Sequence, residues 1–313
     1  MNVTILGCGA FGTALAYMFK ENNCKIKMWN KFDDRFDTLK KELSGVFFTT
    51  NMVESLDKDA LIVIAVPVKY FEDTVKELSN YYTNQDILIA TKGIDTEIGM
   101  LSSDIVHKYI KCDNIGAISG GSFAVDMKDK KILGLTLGTN SNVLKDRIKH
   151  YFDNKYLKIQ YYDDIIGVQL CGAIKNVMAI GHGILDGANY PESSRFLFLT
   201  DAVYEIMDII KFVGGNDKTI MSYAGIDDIM MTCTSSKSRN YSFGVLIGKN
   251  SSKEEIDKYI EETTIEGLAS IEGIKKLLGD NINKFVICNT IYNILYNNAS
   301  YQELVNILIN KKN

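Results

Sequence analysis

One lysine lies in an otherwise apolar stretch near the middle of the chain, where its amine could give up or accept a proton. Lys175 is surrounded in sequence by Leu170, Ala173, Ile174, Val177 and Met178. Burying an ammonium group without a partner costs free energy, so a lysine in such a stretch is usually paired or catalytic. The alternative is a helix edge from which the side chain reaches water. Asn176 adds an amide beside it.

A second polar cluster follows further along the chain. Asp228 and Thr232 are one helical turn apart, which places a carboxylate and a hydroxyl on one face. The tripeptide Ser238-Arg239-Asn240 comes shortly after them. A guanidinium fork matches phosphate oxygens, and the flanking hydroxyl and amide can complete the cradle. Alone, this tripeptide is common at surfaces, so the predicted anion site depends on its combination with Lys92 and Lys175.

Near its beginning the chain runs from an apolar segment through three glycines into a helical pattern. Gly7, Gly9 and Gly12 form the pattern GxGxxG, with Ala10 and Phe11 between the last two. In this context the first glycine permits a tight turn, the second lets the backbone approach a pyrophosphate, and the third allows close helix–strand packing. The helix N-terminus adds amide donors. The pattern predicts a dinucleotide site, against the alternative of a turn that binds nothing.

The end of the second predicted strand bears on the choice of dinucleotide. A carboxylate there accepts the ribose 2′-hydroxyl of NAD and repels the 2′-phosphate of NADP. Here the strand ends in Trp29-Asn30-Lys31, with no acid before Asp33 and with Arg35 nearby. The two basic residues permit NADP, or they are solvated helix residues, so the expected cofactor is NADP or NAD.

Residues that follow predicted strands are the other candidates for ligand contacts, because ligands of an open α/β sheet bind beyond the carboxyl ends of its strands. Pro67 follows one strand, Thr91-Lys92-Gly93 follow the next, and residues 119–124 (SGGSFA) follow a third. Lys92 is the only cation directly at such a strand end. Taken singly it would more often be a solvated surface residue, but its place beside the expected nicotinamide pocket favours a function.

The arrangement of elements predicts an α/β dinucleotide-binding domain with a mainly parallel sheet, followed by an all-α domain. Helical patterns include 10–20, 70–81 and 142–152, and after about Asp163 helical periodicity replaces strand alternation. We expect domains at 1–163 and 164–313, on this change of period alone. The predicted strands are 2–6, 25–29, 60–66, 86–90, 115–119, 132–137 and 157–161.

Composition excludes several classes of protein. The chain has 313 residues, is 46% hydrophobic and carries a net charge of −4, so it has no basic excess to attract nucleic acid or an anionic membrane. Its longest apolar runs are far shorter than the ~20 residues that span a bilayer, and no export signal is visible. Six scattered cysteines lack metal-site or disulfide spacing. We expect a cytoplasmic protein with reduced thiols and no metal.

These motifs resemble the NAD(P)-dependent glycerol-3-phosphate dehydrogenase family, of the soluble bacterial type, over nearly the full chain. The matching segments, in family order, are GCGAFGTALA from Gly7, ATKGID from Ala90, ISGGSFA from Ile118, GVQLCGAIKNVMAIGHGILDG from Gly167, AGIDDIMMTCTSSKSRN from Ala224 and IEGL from Ile265. The resemblance implies interconversion of sn-glycerol 3-phosphate and dihydroxyacetone phosphate, supply of glycerol 3-phosphate for phospholipid synthesis, and a homodimer.

The resemblance also implies a role for each matched position. Lys175 would exchange the proton of the reacting hydroxyl, for which a lysine pKa must fall from about 10.4 towards neutrality. Lys92, Asp228 and Thr232 would organise the hydroxyls. The substrate would also contact Gly120, Ser122, Asn176, Ser238, Arg239 and Asn240. The cofactor would contact Gly7, Gly9, Ala10, Phe11, Gly12, Lys31, Pro67, Lys92, Ala124, Arg239 and Glu266.

Three departures from the family pattern leave other functions open. Gly121 replaces a usual proline, Asp227 a usual glycine, and Asp201 a common arginine. A related dehydrogenase acting on another phosphorylated or carboxylated hydroxy compound is therefore one alternative, and a dinucleotide sensor without catalysis is another. The histidines His107, His150 and His182 are expected to be structural or exposed.

Overall fold

The structure is a computed structural model that describes residues 1–122, 124–152 and 155–310, with the backbone alone at 124 and 125. It divides into two compact units. The first comprises Met1–Lys92 and Leu101–Gln169, and the second comprises Gly93–Met100 and Leu170–Asn313. Each is described by itself below.

The first unit contains an eight-stranded sheet in the order β3-β2-β1-β4-β5-β6-β7-β8. Neighbouring strands run parallel, except that β6 and β7 are antiparallel. This confirms the predicted α/β domain with a mainly parallel sheet. The strands are β1 (Asn2–Leu6), β2 (Lys25–Trp29), β3 (Phe47–Thr49), β4 (Leu61–Ile64), β5 (Asp86–Ile89), β6 (Ile115–Ser119), β7 (Leu133–Gly138) and β8 (Leu157–Tyr162).

The α-helices described in this unit connect the strands, and an apolar core packs helices against the sheet. Leu15 and Phe19 of the first helix are fully buried, and Phe19 packs on Phe152 with ring centroids 4.6 Å apart. The helices are α1 (Ala10–Glu21), α2 (Phe36–Glu42), α3 (Met52–Ser55), α4 (Phe71–Ser79), α5 (Ser102–Tyr109), α6 (Ala124–Lys128) and α7 (Asn142–Tyr151).

The strand predictions were accurate for β1, β2 and β6 and differed elsewhere by a few residues. The predicted strand over 60–66 is shorter, because after Ile64 the chain turns towards Pro67, which has no N–H for a ladder. The strand β3 was not predicted, since Phe47–Thr49 is too short to show an alternating pattern. Helix α4 begins one residue later and ends two residues earlier than the pattern indicated.

The second unit is helical, as the change of period predicted. Its elements include α8 (Ile165–Gly187, from Leu170 onwards), α9 (Glu192–Val213), α10 (Asp228–Thr234), α11 (Arg239–Gly248), α12 (Lys253–Glu262), α13 (Glu266–Leu278), α14 (Val286–Tyr296) and α15 (Gln302–Asn310). The buried carboxylate of Glu205 accepts hydrogen bonds from the amides of Ile287 (2.8 Å) and Cys288 (2.7 Å) at the start of α14. That carboxylate satisfies amides that a helix start leaves without partners.

Helix α8 is long and apolar enough to cross a bilayer, although no single apolar run within it is. In the structure, 89% of its most apolar window is buried in protein, and a core helix passes the same length and composition test.

Four glycines let α8 and α11 approach each other backbone to backbone. A Cβ at Gly183 or Gly187 of α8 would meet the carbonyl oxygens of Tyr241 or Val245. A Cβ at Gly244 or Gly248 of α11 would likewise meet carbonyl oxygens of α8. Any larger residue would push the helices apart, so this packing fixes how α11 lies on α8.

Candidate active site

The glycine turn between β1 and α1 has the geometry of a dinucleotide cradle. Gly7 has a φ of +114°, and a Cβ there would lie 2.6 Å from the Ala65 carbonyl oxygen. Helix α1 begins at Ala10, directly after Gly9, so its first amides face the turn. A Cβ at Gly9 would have no heavy atom within 4 Å, which leaves open space where a pyrophosphate would approach. The residues present therefore fit a dinucleotide.

Polar side chains from the end of β2 and the following loop hold this turn. The Cys8 amide donates to Asn30 Oδ1 at 3.3 Å, and Arg35 Nη1 donates to the Cys8 carbonyl oxygen at 2.7 Å. Burial raises the pKa of the Cys8 thiol to about 12, so this side chain stays neutral. Lys31 is exposed. The structure thus brings Arg35 to the glycine turn, next to Ala10 in the lining of a cavity of about 270 Å³.

Two predicted site residues of the first unit, Phe11 and Lys92, contact each other. The Lys92 ammonium lies 5.2 Å from the centroid of the Phe11 ring, a cation–π contact. The residue before it, Thr91, donates its hydroxyl to the Val66 carbonyl oxygen at 2.8 Å. This bond ties the end of β5 to the chain just before Pro67, which is exposed.

The small residues after β6 make a tight turn. Gly120 is buried, and a Cβ there would lie 2.5 Å from the Gly134 carbonyl oxygen. The Ser122 hydroxyl donates to the Gly120 carbonyl oxygen at 3.5 Å. Ala124 is the first residue of α6, and its side chain lies outside the described residues. Gly121, which departs from the family pattern, is half-buried.

In the second unit, Lys175 is buried and ion-paired. Its side chain is 7% exposed, and its ammonium donates to Oδ1 of Asp228, whose side chain is 0% exposed. The same ammonium donates to the Thr232 hydroxyl at 3.0 Å, and that hydroxyl donates to Asp228 Oδ1 at 3.1 Å. The interpretation of Lys175 as a snorkelling helix-edge residue is therefore wrong. One amine is held by a carboxylate and a hydroxyl from a single turn of α10.

A local irregularity carries Asp228 into this buried position. The residues just before α10, Tyr223–Asp227, form a π-helical turn that contains the non-helical Gly225. A Cβ at Gly225 would collide with the backbone of Ile220, so only glycine allows this close approach. Such π turns are frequent at functional sites. Asp227 is exposed while Asp228 is buried.

A chain of hydrogen bonds links α8, α11 and α13 beside Lys175. The Asn240 side-chain amide donates to Asn176 Oδ1 at 2.9 Å, and the Asn176 amide donates to Glu266 Oε2 at 3.1 Å. Asn240 Oδ1 accepts the Gly267 amide hydrogen at 2.8 Å. The asparagines are buried and Glu266 is exposed. Asn240 and Glu266 lie in the first turns of α11 and α13, and this network joins those turns to α8.

The remaining predicted phosphate ligands stand at the start of α11. Ser238 is its N-cap, and its Oγ accepts the Tyr241 amide hydrogen at 3.3 Å. Arg239 follows as the first helical residue, and its side chain is exposed. The helix N-terminus adds amide donors and a partial positive charge to this turn.

A cysteine also lies beside this arrangement. Burial raises the pKa of the Cys233 thiol, whose Sγ lies 4.0 Å from the Lys175 carbonyl oxygen, so this thiol stays neutral. Within the described part of the chain, no three His, Cys, Asp or Glu side chains group as metal ligands would.

Comparisons with known proteins agree with this geometry. Residues 2–144 match the N-terminal part, and residues 164–306 the C-terminal part, of the family described as NAD-dependent glycerol-3-phosphate dehydrogenase. A glycerol-3-phosphate dehydrogenase [NAD(P)+] from Wolbachia sp. subsp. Drosophila simulans is 31% identical, over 99% of this chain and 100% of that protein. The chain belongs to the NAD-dependent glycerol-3-phosphate dehydrogenase family.

Further relatives of this family cover the chain equally well. The Staphylococcus aureus (strain USA300 / TCH1516) glycerol-3-phosphate dehydrogenase [NAD(P)+] is 28% identical over 99% of this chain and 98% of that protein. A crystal structure of glycerol-3-phosphate dehydrogenase from Coxiella burnetii superimposes with a TM-score of 0.90, at 25% identity over 99% of both chains. The family resemblance predicted from the motifs is confirmed, and the chain is an NAD(P)-dependent oxidoreductase.

Sequence reasoning singled out the residues above but missed three that hold them. Gly225 shapes the turn before Asp228, Asp186 binds two neighbouring helices, and Gly267 donates to Asn240. These residues belong to the matched segments AGIDD, GILDG and IEGL, but nothing in the spacing of those segments indicates which atoms they approach.

Proposed function

We propose that this dehydrogenase interconverts sn-glycerol 3-phosphate and dihydroxyacetone phosphate, with Lys175 exchanging the proton of the reacting oxygen. The observation that carries the proposal is the buried amine of Lys175 held by Asp228 and Thr232. A lysine held in one position by two partners is ready to act on a hydroxyl brought within hydrogen-bond reach.

The reaction requires two hydrogens to leave the substrate by different routes. During oxidation, the C2–H and O–H bonds break, and a C2 carbonyl forms. A bound nicotinamide cofactor would supply the acceptor for the hydride that leaves C2. Lys175, as the neutral amine, takes the hydroxyl proton and becomes the ammonium that pairs with Asp228, while Asp228 and Thr232 keep it aimed in one direction. In ketone reduction, the Lys175 ammonium returns the proton to the carbonyl oxygen.

The start of α11 is proposed to bind the substrate phosphate. Arg239 supplies a planar guanidinium, and Ser238, Asn240 and the first helical amides supply further donors. Asn240 is held by Asn176 and Gly267, which reduces the freedom it loses on binding. Lys92, Gly120 and Ser122 are proposed as further substrate contacts.

The glycine turn is proposed to bind the dinucleotide, which is NADP or NAD. Gly7, Gly9 and Gly12 would shape the backbone around the pyrophosphate, and Ala10 would donate from the start of α1. Phe11, Lys31, Pro67, Lys92, Ala124, Arg239 and Glu266 are proposed as further cofactor contacts.

The activity is tested by mixing the purified chain with dihydroxyacetone phosphate and NADH or NADPH and following the loss of nicotinamide absorbance. Oxidation of either cofactor supports the proposal. A panel of phosphorylated and carboxylated hydroxy ketones distinguishes a related dehydrogenase, for which Gly121, Asp227 and Asp201 are the reason to look. Cofactor binding without turnover on any substrate would identify a sensor.

The cellular setting belongs to the same proposal. On the family resemblance, we expect a cytoplasmic homodimer that supplies glycerol 3-phosphate for phospholipid synthesis. Light scattering on the purified protein measures the oligomeric state. Radiolabelled glycerol 3-phosphate in extracts with and without the protein measures the supply.

A further inference from the structure

Asp186, near the C-terminal end of α8, joins that helix to two others. The Arg195 guanidinium of α9 donates to Oδ1 of Asp186, and the Tyr241 hydroxyl of α11 donates to Oδ2. The Asp186 and Arg195 side chains are 32% and 17% exposed. Both carboxylate oxygens are therefore occupied by donors from different helices.

The protonation states keep these contacts intact at neutral pH. Burial, and then Asp186, raise the pKa of Tyr241 to about 12, so its hydroxyl remains a donor. Burial, and then Arg195, lower the pKa of His182 to about 4, so its imidazole is neutral. The His182 ring packs on the Tyr241 ring with centroids 5.9 Å apart. Tyr241 is thus held at its hydroxyl and along its ring.

Tyr241 lies in the first turn of α11, next to the residues proposed to bind phosphate. Its amide donates to Ser238 Oγ at 3.3 Å, and it directly follows Asn240. Gly183 of α8 packs against the Tyr241 carbonyl oxygen, which leaves the turn no room to move towards α8. The side chain of Tyr241 therefore connects Asp186 to the backbone of this turn.

We propose that Asp186 is a positioning residue for the substrate phosphate, because through Tyr241 it fixes the turn that carries Ser238, Arg239 and Asn240. The inference rests on the proposed function and deepens it. Asp186 follows Lys175 by eleven residues, about 16 Å along α8 at 1.5 Å per residue. It therefore acts on phosphate binding through Tyr241 and not on the proton transfer.

The decisive variant is Tyr241→Phe, which removes the hydroxyl and keeps the ring packed on His182. We expect the KM for dihydroxyacetone phosphate to rise about tenfold, with kcat and the KM for the nicotinamide cofactor within about twofold of wild type. Inorganic phosphate, used as a competitive inhibitor, should lose affinity by the same factor, since it occupies the phosphate site alone.

Tyr109→Phe is the matched control. It also removes a tyrosine hydroxyl bound to a carboxylate, that of Glu72 at 2.7 Å, but in the first unit. We expect this variant to keep wild-type KM values. Thermal unfolding of both variants shows whether either loses its fold.

A double-mutant cycle tests whether Asp186 acts through Tyr241. Asp186→Asn alone should raise the KM for dihydroxyacetone phosphate, and adding Tyr241→Phe should raise it by less than twofold more, because both changes break one connection. Full additivity, or an unchanged KM in folded Tyr241→Phe, overturns the inference. Wild-type protein that fails to turn over dihydroxyacetone phosphate overturns the proposed function instead, and phosphate affinity then still tests the positioning.

Discussion

The ammonium of Lys175 and the carboxylate of Asp228 form an ion pair whose side chains are 7% and 0% exposed. Thr232 completes the arrangement from the turn of α10 that carries Asp228. A buried pair of this kind is a weak contributor to stability, because desolvation offsets most of the attraction between the charges. Its presence is better explained by the reaction than by folding.

Lys175→Ala should lower kcat by about 10² or more while cofactor binding stays intact, because general acid–base catalysis is lost and the glycine turn is untouched. Steady-state kinetics and a fluorescence titration with NADPH measure the two properties. Lys258→Ala, which removes a lysine that is 70% exposed in the same unit, serves as control. A near-wild-type rate for Lys175→Ala would rule out this role.

Lys175→Met should also destabilise the protein by ~3 kcal/mol, because it leaves the buried Asp228 carboxylate without the cation that pairs with it. Adding Asp228→Asn removes the charge and should restore part of that loss. Activity should stay absent in the double variant. Urea unfolding measures the free energies, and a double variant less stable than Lys175→Met would contradict this account of the pair.

Gly9→Ala should lower cofactor affinity, whereas Gly12→Ala should lower stability. An alanine at position 9 has a φ of −70° and open space, so stability should stay within ~0.5 kcal/mol of wild type. Cofactor affinity should fall at least about tenfold, because the methyl occupies the approach of the pyrophosphate.

An alanine at position 12 would collide with the Gly7 carbonyl oxygen and come within 3.2 Å of Ala65 Cβ. We expect that variant to lose ~2 kcal/mol of stability. Calorimetry of the free and NADPH-bound variants separates the two effects. Unchanged cofactor affinity in Gly9→Ala would show that the dinucleotide does not approach this turn.

Arg35→Ala should weaken the binding of NADPH more than the binding of NADH. Arg35 lies in the loop after β2, the strand whose end faces the ribose 2′ position, and its Nη1 donates to the Cys8 carbonyl oxygen at 2.7 Å. We expect the KM for NADPH to rise about tenfold and that for NADH less than twofold. Lys40→Ala, an exposed change on α2, is the control. Equal losses with both cofactors would mean that Arg35 only supports the turn.

The sequence predicted best what depends on local spacing. The glycine turn is a local motif, and the strands of the first half and the helices of the second half each show a hydrophobic period within about twenty residues. Lys175 was conspicuous because a cation interrupts an apolar stretch. The family resemblance put Lys175 and Asp228 at one site, but their ion pair was not predicted, since the two residues are 53 positions apart.

Contacts between residues far apart in the chain could not be predicted from the sequence either. Asn240 donates to Asn176, which is 64 residues away. Glu205 accepts from the amides at the start of α14, which are 82 and 83 residues away. No period marks such pairs, because they depend on how helices pack after they form. The π turn around Gly225 was equally hidden, since a single glycine in a helical pattern more often marks an end or a loose turn.

His182 should make the stability of the second unit depend on pH. Its pKa lies at about 4 in the folded protein against 6.5 for an unperturbed histidine, through burial and then Arg195, with Asp186 opposing them. The unfolded chain therefore binds the proton more tightly, and stability is lost as the pH falls from about 6.5 towards 4, by ~3 kcal/mol in total. Above pH 6.5 this residue has no effect on the slope.

His182→Gln, which cannot titrate, should flatten this part of the pH profile. Exposed His107→Gln is the control and should leave the slope unchanged. Urea unfolding at half-unit steps from pH 7 to 4.5 measures both variants beside wild type. The same slope in His182→Gln as in wild type would assign the acid sensitivity to carboxylates, since these also take up protons in that range.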